Sequence, residues 1–175
     1  ADRTVLAKRF GLWFAPLVVL KGSETPDGQS IVGQAHLHRE EGCLVNIDAI
    51  GYGASAVDMM NADAAVVGVN FAGKSKKRDR SGRLTFANLR AEAYWTFREE
   101  LEPGAGEEIA LPPDPELLSE LSAIRWKVQL SGIYVEKKEE IIKRVGKSPD
   151  KADAVVLAAF DSSPYSVEYG PRIYQ

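Results

Sequence analysis

The sequence predicts an α/β domain built on a mixed sheet with helices on both faces. Three observations carry that expectation. Residues 44–69 run strand, glycine turn, helix, strand, the order of a parallel βαβ unit. Two pairs of β-rich runs, one at the start and one around Ser131-Gly132, supply antiparallel strands. Between them lie segments whose apolar residues recur at helical spacing. At 175 residues and 45% apolar content, the chain suits one domain with its own core.

The elements follow in order. Thr4 to Arg9 and Leu12 to Leu20 are rich in large and β-branched residues, and Phe10-Gly11 between them marks a hairpin. Thr25-Pro26-Asp27-Gly28 is turn chemistry, with a helix expected over Ser30 to Glu40. Leu44 to Ile50 reads as a buried strand ending at Gly51, Ala54 to Met60 as a short helix, and Ala64 to Val69 as the next strand. Phe86, Leu89, Ala93 and Phe97 give an amphipathic helix to about Leu101, with Arg90 and Glu99 on its other faces. Pro112 to Pro115 opens another helix through Leu121. Ile124 to Leu130 and Ile133 to Glu136 form the second hairpin. Glu139 to Val145 is helical, and Ser148-Pro149-Asp150 starts a closing helix through Phe160. The domain is expected to span 1–162, with an irregular tail over 163–175. The opening residues Ala1 to Val5 read as the interior of a domain, so further sequence is expected upstream.

Composition narrows the function classes. No apolar run approaches the roughly 20 residues of a membrane span, and no signal-peptide pattern opens the chain. Cys43 is the sole cysteine, so an internal disulfide and a cysteine-rich zinc site are excluded, and the cytoplasm is the simplest compartment. The net charge of −3 gives no global attraction to nucleic acid. A local patch does exist: Lys74, Lys76, Lys77, Arg78, Arg80 and Arg83 fall close together. It reads either as a solvated loop or as a phosphate-binding surface.

Three aspartates stand out. Asp48 interrupts an apolar strand near its C-terminal end, where ligands of open α/β sheets gather. A carboxylate there must be paired, hydrogen-bonded or bound to a cation. Asp150 and Asp153 are three apart at the start of the closing helix and share one face, so they suit a hard cation or simply cap the helix. His36 and His38 do not have zincin spacing, and Gly51 to Ser55 lacks the further residues of a dinucleotide or Walker motif.

Several stretches together then take on a family likeness. Asn46 to Ser55 resembles the second acidic motif of phage large-terminase nuclease domains. Phe86 to Trp95 is similar to that family's segment on the long helix. Val135 to Ile141, followed by Lys143 to Ala154, resembles its closing motif. The likeness extends to about Phe160.

The resemblance implies a ribonuclease H-like fold and a divalent-metal-dependent endonuclease that uses Mg²⁺ or Mn²⁺ in a two-metal site. Asp48 would match the second-strand ligand, Asp150 and Asp153 the closing cluster, and Asp2 a secondary acid after the first-strand motif. That motif's own aspartate would lie upstream of Asp2. Lys137 or Lys138 could neutralise charge in the transition state, and the basic residues from Lys74 to Arg83 would hold duplex DNA with little sequence preference. The implied partners are double-stranded DNA, the portal protein, the small terminase subunit and an ATPase domain, in the host cell cytoplasm, with the isolated domain monomeric. Three alternatives stay open: a resolvase-type nuclease of the same fold, a non-catalytic docking module whose acids only cap helices, and a small-molecule enzyme binding phosphate at Gly51 to Ser55.

Overall fold

The computed structural model describes residues 3–60, 62–63, 65–104 and 108–165; Asp2 and the tail from 166 onward lie outside them. The chain opens with β1 (Arg3–Leu6), β2 (Arg9–Phe10), β3 (Trp13–Phe14) and β4 (Val18–Lys21). The turn falls at Gly11-Leu12, so the expected hairpin forms: β2 pairs with β3, and β1 with β4, all antiparallel. Pro16 cannot donate to a ladder and interrupts it, but the Ala15 amide still reaches the Lys8 carbonyl at 3.0 Å.

The helix α1 (Gly28–His38) begins with a capping box. The Ser30 amide donates to Asp27 Oδ1 at 2.8 Å, and the Asp27 amide donates to Ser30 Oγ. Next come β5 (Val45–Asp48), α2 (Tyr52–Met59) and β6 (Val66–Val69), with β5 and β6 parallel and Asp48 opposite Val69. The βαβ expectation therefore holds, although β5 is half-buried rather than buried. Gly53 is required where α2 starts, because a Cβ there would lie 1.9 Å from the Asp48 carbonyl oxygen.

Further along lie α3 (Leu89–Glu100), capped by Asn88, and α4 (Pro115–Ala123), capped by Asp114 with proline in the first turn. The second hairpin is β7 (Trp126–Gln129) with β8 (Gly132–Val135). Its two-residue loop is Leu130-Ser131, one residue earlier than the sequence suggests. Gly132 instead opens β8 with φ of 105°, and a Cβ there would meet the Thr85 carbonyl at 2.1 Å. That close approach lets Ile133 exchange backbone hydrogen bonds with Thr85 and Ala87 just ahead of α3, at 2.8 and 2.9 Å. Last come α5 (Lys138–Val145) and α6 (Asp150–Ala159).

The α/β class with parallel and antiparallel pairing is as expected, but the described strands hydrogen-bond as four two-stranded ladders rather than one continuous sheet. The closing helix ties them together. α6 packs against β1, β5, α3 and α4; Ala152 is fully buried, and Val155 and Val156 are fully buried in one core with Phe14, Leu117 and Ile133. Both of its ends are held from elsewhere. At the N-terminus, Glu120 of α4 accepts the Lys151 and Ala152 amides at 2.8 and 3.0 Å. At the C-terminus, Asn46 Nδ2 donates to the Leu157 and Phe160 carbonyls, both at 2.9 Å, and Arg9 donates to the Ala159 carbonyl.

The segment directly after Ser162 is docked rather than irregular. A single 3-10 turn, Ser163–Tyr165, lays the Tyr165 ring on Phe160 at 5.8 Å between centroids. No described helix is long and apolar enough to cross a membrane.

Two outcomes are expected. Gly132→Ala should lower stability by about 2 kcal/mol or more, since it adds a disfavoured φ to a backbone collision; an unchanged urea midpoint would contradict the tether. Glu116 is held well below the usual carboxylate range by Lys147, Lys151 and Arg3. A depressed pKa stabilises the fold above the unfolded value and is lost as pH falls through it. The stability gap between the wild type and Glu116→Gln at pH 7 should therefore shrink as pH drops below about 4, measured by urea melts across pH.

Candidate metal centre

Chain geometry brings Asp48 and Asp153 together. Asn46 and Asp48 are two apart on β5, so they point to the same face. Asn46 holds the Leu157 carbonyl of α6. Two strand residues advance about 6.6 Å, and the four residues from Leu157 back to Asp153 span about 6 Å of helix. Asp153 stands about one turn back along α6 from that anchor. The two carboxylates influence each other electrostatically. Burial pushes the Asp48 carboxyl up and Asp153 adds to it, while Lys138, Arg90 and the Ile50 amide pull the other way without prevailing. Asp48 Oδ1 is buried and has no hydrogen-bond partner among the described residues.

Asp153 is engaged on one side. Its Oδ1 accepts from Arg90 at 2.8 Å and from the Tyr94 hydroxyl at 2.5 Å. Its Oδ2 faces Lys138 Nζ at 3.7 Å. Burial and the adjacent Asp153 push the Tyr94 phenol well up, so it stays a donor. Arg90 also donates from Nε to the Glu136 carbonyl at 3.1 Å.

Asp150 points elsewhere. Its Oδ1 accepts from Ser148 at 2.5 Å and Lys138 at 3.1 Å, and its Oδ2 lies 3.5 Å from Arg3 Nε. Burial alone would raise it, but the Ser148 hydroxyl, Lys138 and Arg3 outweigh burial and leave it below the usual range. Neither Asp150 nor Asp153 caps its own helix, whose N-cap is Pro149 with no side-chain bond. Glu120 takes that place. Asp150 is thus not the N-cap, although both acids lie in the first turn, at the positive end of the helix dipole.

The expected three-aspartate set is brought together in part. Asp48 feels the charge of Asp153, Lys138 bridges Asp153 to Asp150, and Asp150 is turned toward Arg3. Among the described residues, no group of three or more histidine, cysteine, aspartate or glutamate side chains is arranged to hold a metal. Asp2 lies outside the described residues. The chemistry of the pair nonetheless suits a hard cation. A buried carboxylate oxygen without a donor, within electrostatic reach of a second carboxylate, is the environment that such an ion relieves.

Lys138 thus reaches both acids from the first turn of α5, whereas Lys137 is exposed at its N-cap. The six basic residues of the loop are all exposed. The loop leaves the C-terminal end of β6, beside the end of β5 that carries Asp48. It is ordered by Asp79, whose Oδ1 accepts the Arg83 and Leu84 amides at 3.0 and 2.8 Å. Lys76 lies over the Tyr165 ring, Lys77 pairs with Asp161 at 3.0 Å, and Arg80 holds the Glu99 carbonyl at 2.6 Å. Lys74, Arg78 and Arg83 make no ion pair among the described residues.

Sequence reasoning missed Arg90, Tyr94, Arg3 and Glu120. Arg90 was expected on an outer face, yet it is 7% exposed and turned to the acids. The signal was available: Arg90 and Tyr94 are four apart, one above the other on α3. Arg3 and Glu120 left no comparable trace, because they meet only through the tertiary fold, at 3.2 Å.

No protein-family model matches the sequence, and no curated protein matches it. Solved structures do resemble it. The nuclease domain of the large terminase subunit gp2 of bacterial virus Sf6 superposes with a TM-score of 0.67 at 17% identity, covering 89% of this chain and 80% of that one. A lysine-to-alanine variant of that domain, solved with manganese, gives 0.68 at 16% identity over 89% and 82%. The same variant with calcium gives 0.67 at 16% over 89% and 81%. At such identity the likeness is one of fold, and the fold is that of the terminase nuclease domains toward which the sequence resemblance pointed.

Proposed function

We propose that this chain is a divalent-metal-dependent endonuclease domain of a viral DNA-packaging terminase, cutting double-stranded DNA with little sequence preference. The observation that carries the reading is the buried, donorless Oδ1 of Asp48, within electrostatic reach of Asp153, at the C-terminal end of a parallel strand pair. A purely structural acid would be capped or paired there, as Asp150 is. The likeness in fold to nuclease domains solved with manganese and calcium supports the same reading.

In this reading Asp48 and Asp153 hold Mg²⁺ or Mn²⁺, and Asp2 with an upstream acid would complete a two-metal site. When bound, such ions supply an activated water and countercharge for the phosphodiester. The chain's own residues do the rest. Asp48 sits on a strand end fixed through Asn46, so its carboxylate needs little reorganisation. Lys138 brings positive charge to the mouth of the pair, where a phosphate oxygen gains charge during hydrolysis. Asp150 holds Lys138 at that position rather than serving as an equal third ligand. The loop beside the Asp48 end offers Lys74, Arg78 and Arg83 to the DNA backbone, with affinity that falls steeply with salt. The duplex, the portal protein, the small terminase subunit and an ATPase domain are the proposed partners, and the host cytoplasm the proposed setting.

Two experiments bear on this. Asp48→Asn should abolish Mn²⁺-dependent plasmid cutting and also stabilise the metal-free chain by about 1 kcal/mol at pH 7, since it removes an uncompensated buried charge. The sign follows from linkage. A raised carboxyl pKa costs stability as pH rises above the unfolded value, so the variant's advantage should vanish at or below about pH 4. Cutting that survives the change would remove Asp48 from the reaction. Reversing Lys74, Arg78 and Arg83 to Glu should weaken DNA retention and flatten its salt dependence more than reversing the tied residues Lys76, Lys77 and Arg80. Equal effects would argue against a contact surface built on the untied three.

A further inference from the structure

We propose that Arg90 and Tyr94 are positioning residues that decide which oxygen of Asp153 meets a cation, a claim that rests on the reading of Asp48 and Asp153 as the ion-binding pair. A carboxylate oxygen has about two lone-pair sites. Both sites on Asp153 Oδ1 are taken, by Arg90 at 2.8 Å and the Tyr94 hydroxyl at 2.5 Å. Among the described residues, Oδ2 faces Lys138 at 3.7 Å, beyond hydrogen-bond reach. The carboxylate is therefore fixed in orientation with one oxygen saturated and the other left for a cation. Asp153 would bind through a single oxygen, Oδ2.

The two donors are themselves immobilised. Arg90 is anchored through Nε to the Glu136 carbonyl at 3.1 Å, and its guanidinium lies over the Tyr94 ring at 4.6 Å. They are 7% and 6% exposed. Core packing alone gives no reason for this choice, because a buried arginine–aspartate pair is commonly no more stabilising than apolar residues of similar size. Arg90 is also a fork: it reaches a carbonyl and a carboxylate with separate nitrogens, which a lysine ammonium cannot do in the same geometry. Outer partners of metal-ligating groups act in this way, by locking the ligand's orientation before the ion arrives.

The test is Mn²⁺ titration calorimetry on the whole chain, with a urea melt of every variant. Tyr94→Phe removes one hydroxyl and keeps the ring, so its melt should move little while Mn²⁺ affinity falls by about tenfold or more. Arg90→Lys should fall by at least as much despite its retained charge. Should Arg90→Lys fail to fold, Tyr94→Phe decides alone. If Tyr94→Phe binds Mn²⁺ like the wild type while Asp48→Asn does not bind it, the positioning role is overturned and the ion-binding pair stands. If Asp48→Asn binds like the wild type, the pair itself fails and this inference with it.

Discussion

The carboxylate of Glu120 lies across the first turn of α6 and accepts the amides of Lys151 and Ala152. Much of the arrangement depends on that contact. A helix N-terminus has amides without intrahelical partners, and a buried one needs an acceptor supplied from somewhere. Here the helix's own first residues do not supply it. Asp150 is thereby left to Ser148, Lys138 and Arg3, and Asp153 to Arg90 and Tyr94. Glu120 also holds Arg3 at 3.2 Å, so the same carboxylate ties β1 to the end of α6 where the acids stand.

The opposite end of α6 is fixed by the strand that carries Asp48. Asn46 takes two carbonyls of the last turn and is itself held by Ser162 at 2.7 Å. With both ends pinned and an apolar middle sealed in the core, α6 has little freedom to rotate or slide along β5. The distance between Asp48 and Asp153 is in this sense a property of the core, remote from the acids themselves.

Charge is compensated unevenly around the acids. Asp150 has a hydroxyl, a lysine and an arginine, whereas Asp48 keeps a buried oxygen with no donor. Uncompensated groups of this kind lower stability and persist where a ligand relieves them. The site thus divides into a satisfied half that builds the scaffold and an unsatisfied half suited to chemistry. Lys138 touches both halves, and Arg90 with Tyr94 marks the border between them.

The sequence by itself determined the local structure. Hydrophobic period, proline and glycine placement and capping residues located the two hairpins, the βαβ unit and the helices, because those signals act over a few residues. It also singled out Asp48, whose charge inside an apolar strand is visible without a fold. Tertiary structure decided what each charge meets. Arg90 looks like an outer-face residue until β8 and α6 close over it, and Asp150 looks like a cap until Glu120 occupies that role from 31 and 32 residues before the amides it accepts. Pairing between distant charges depends on how the elements pack, and periodicity in the chain records which face is buried but not what lies across from it.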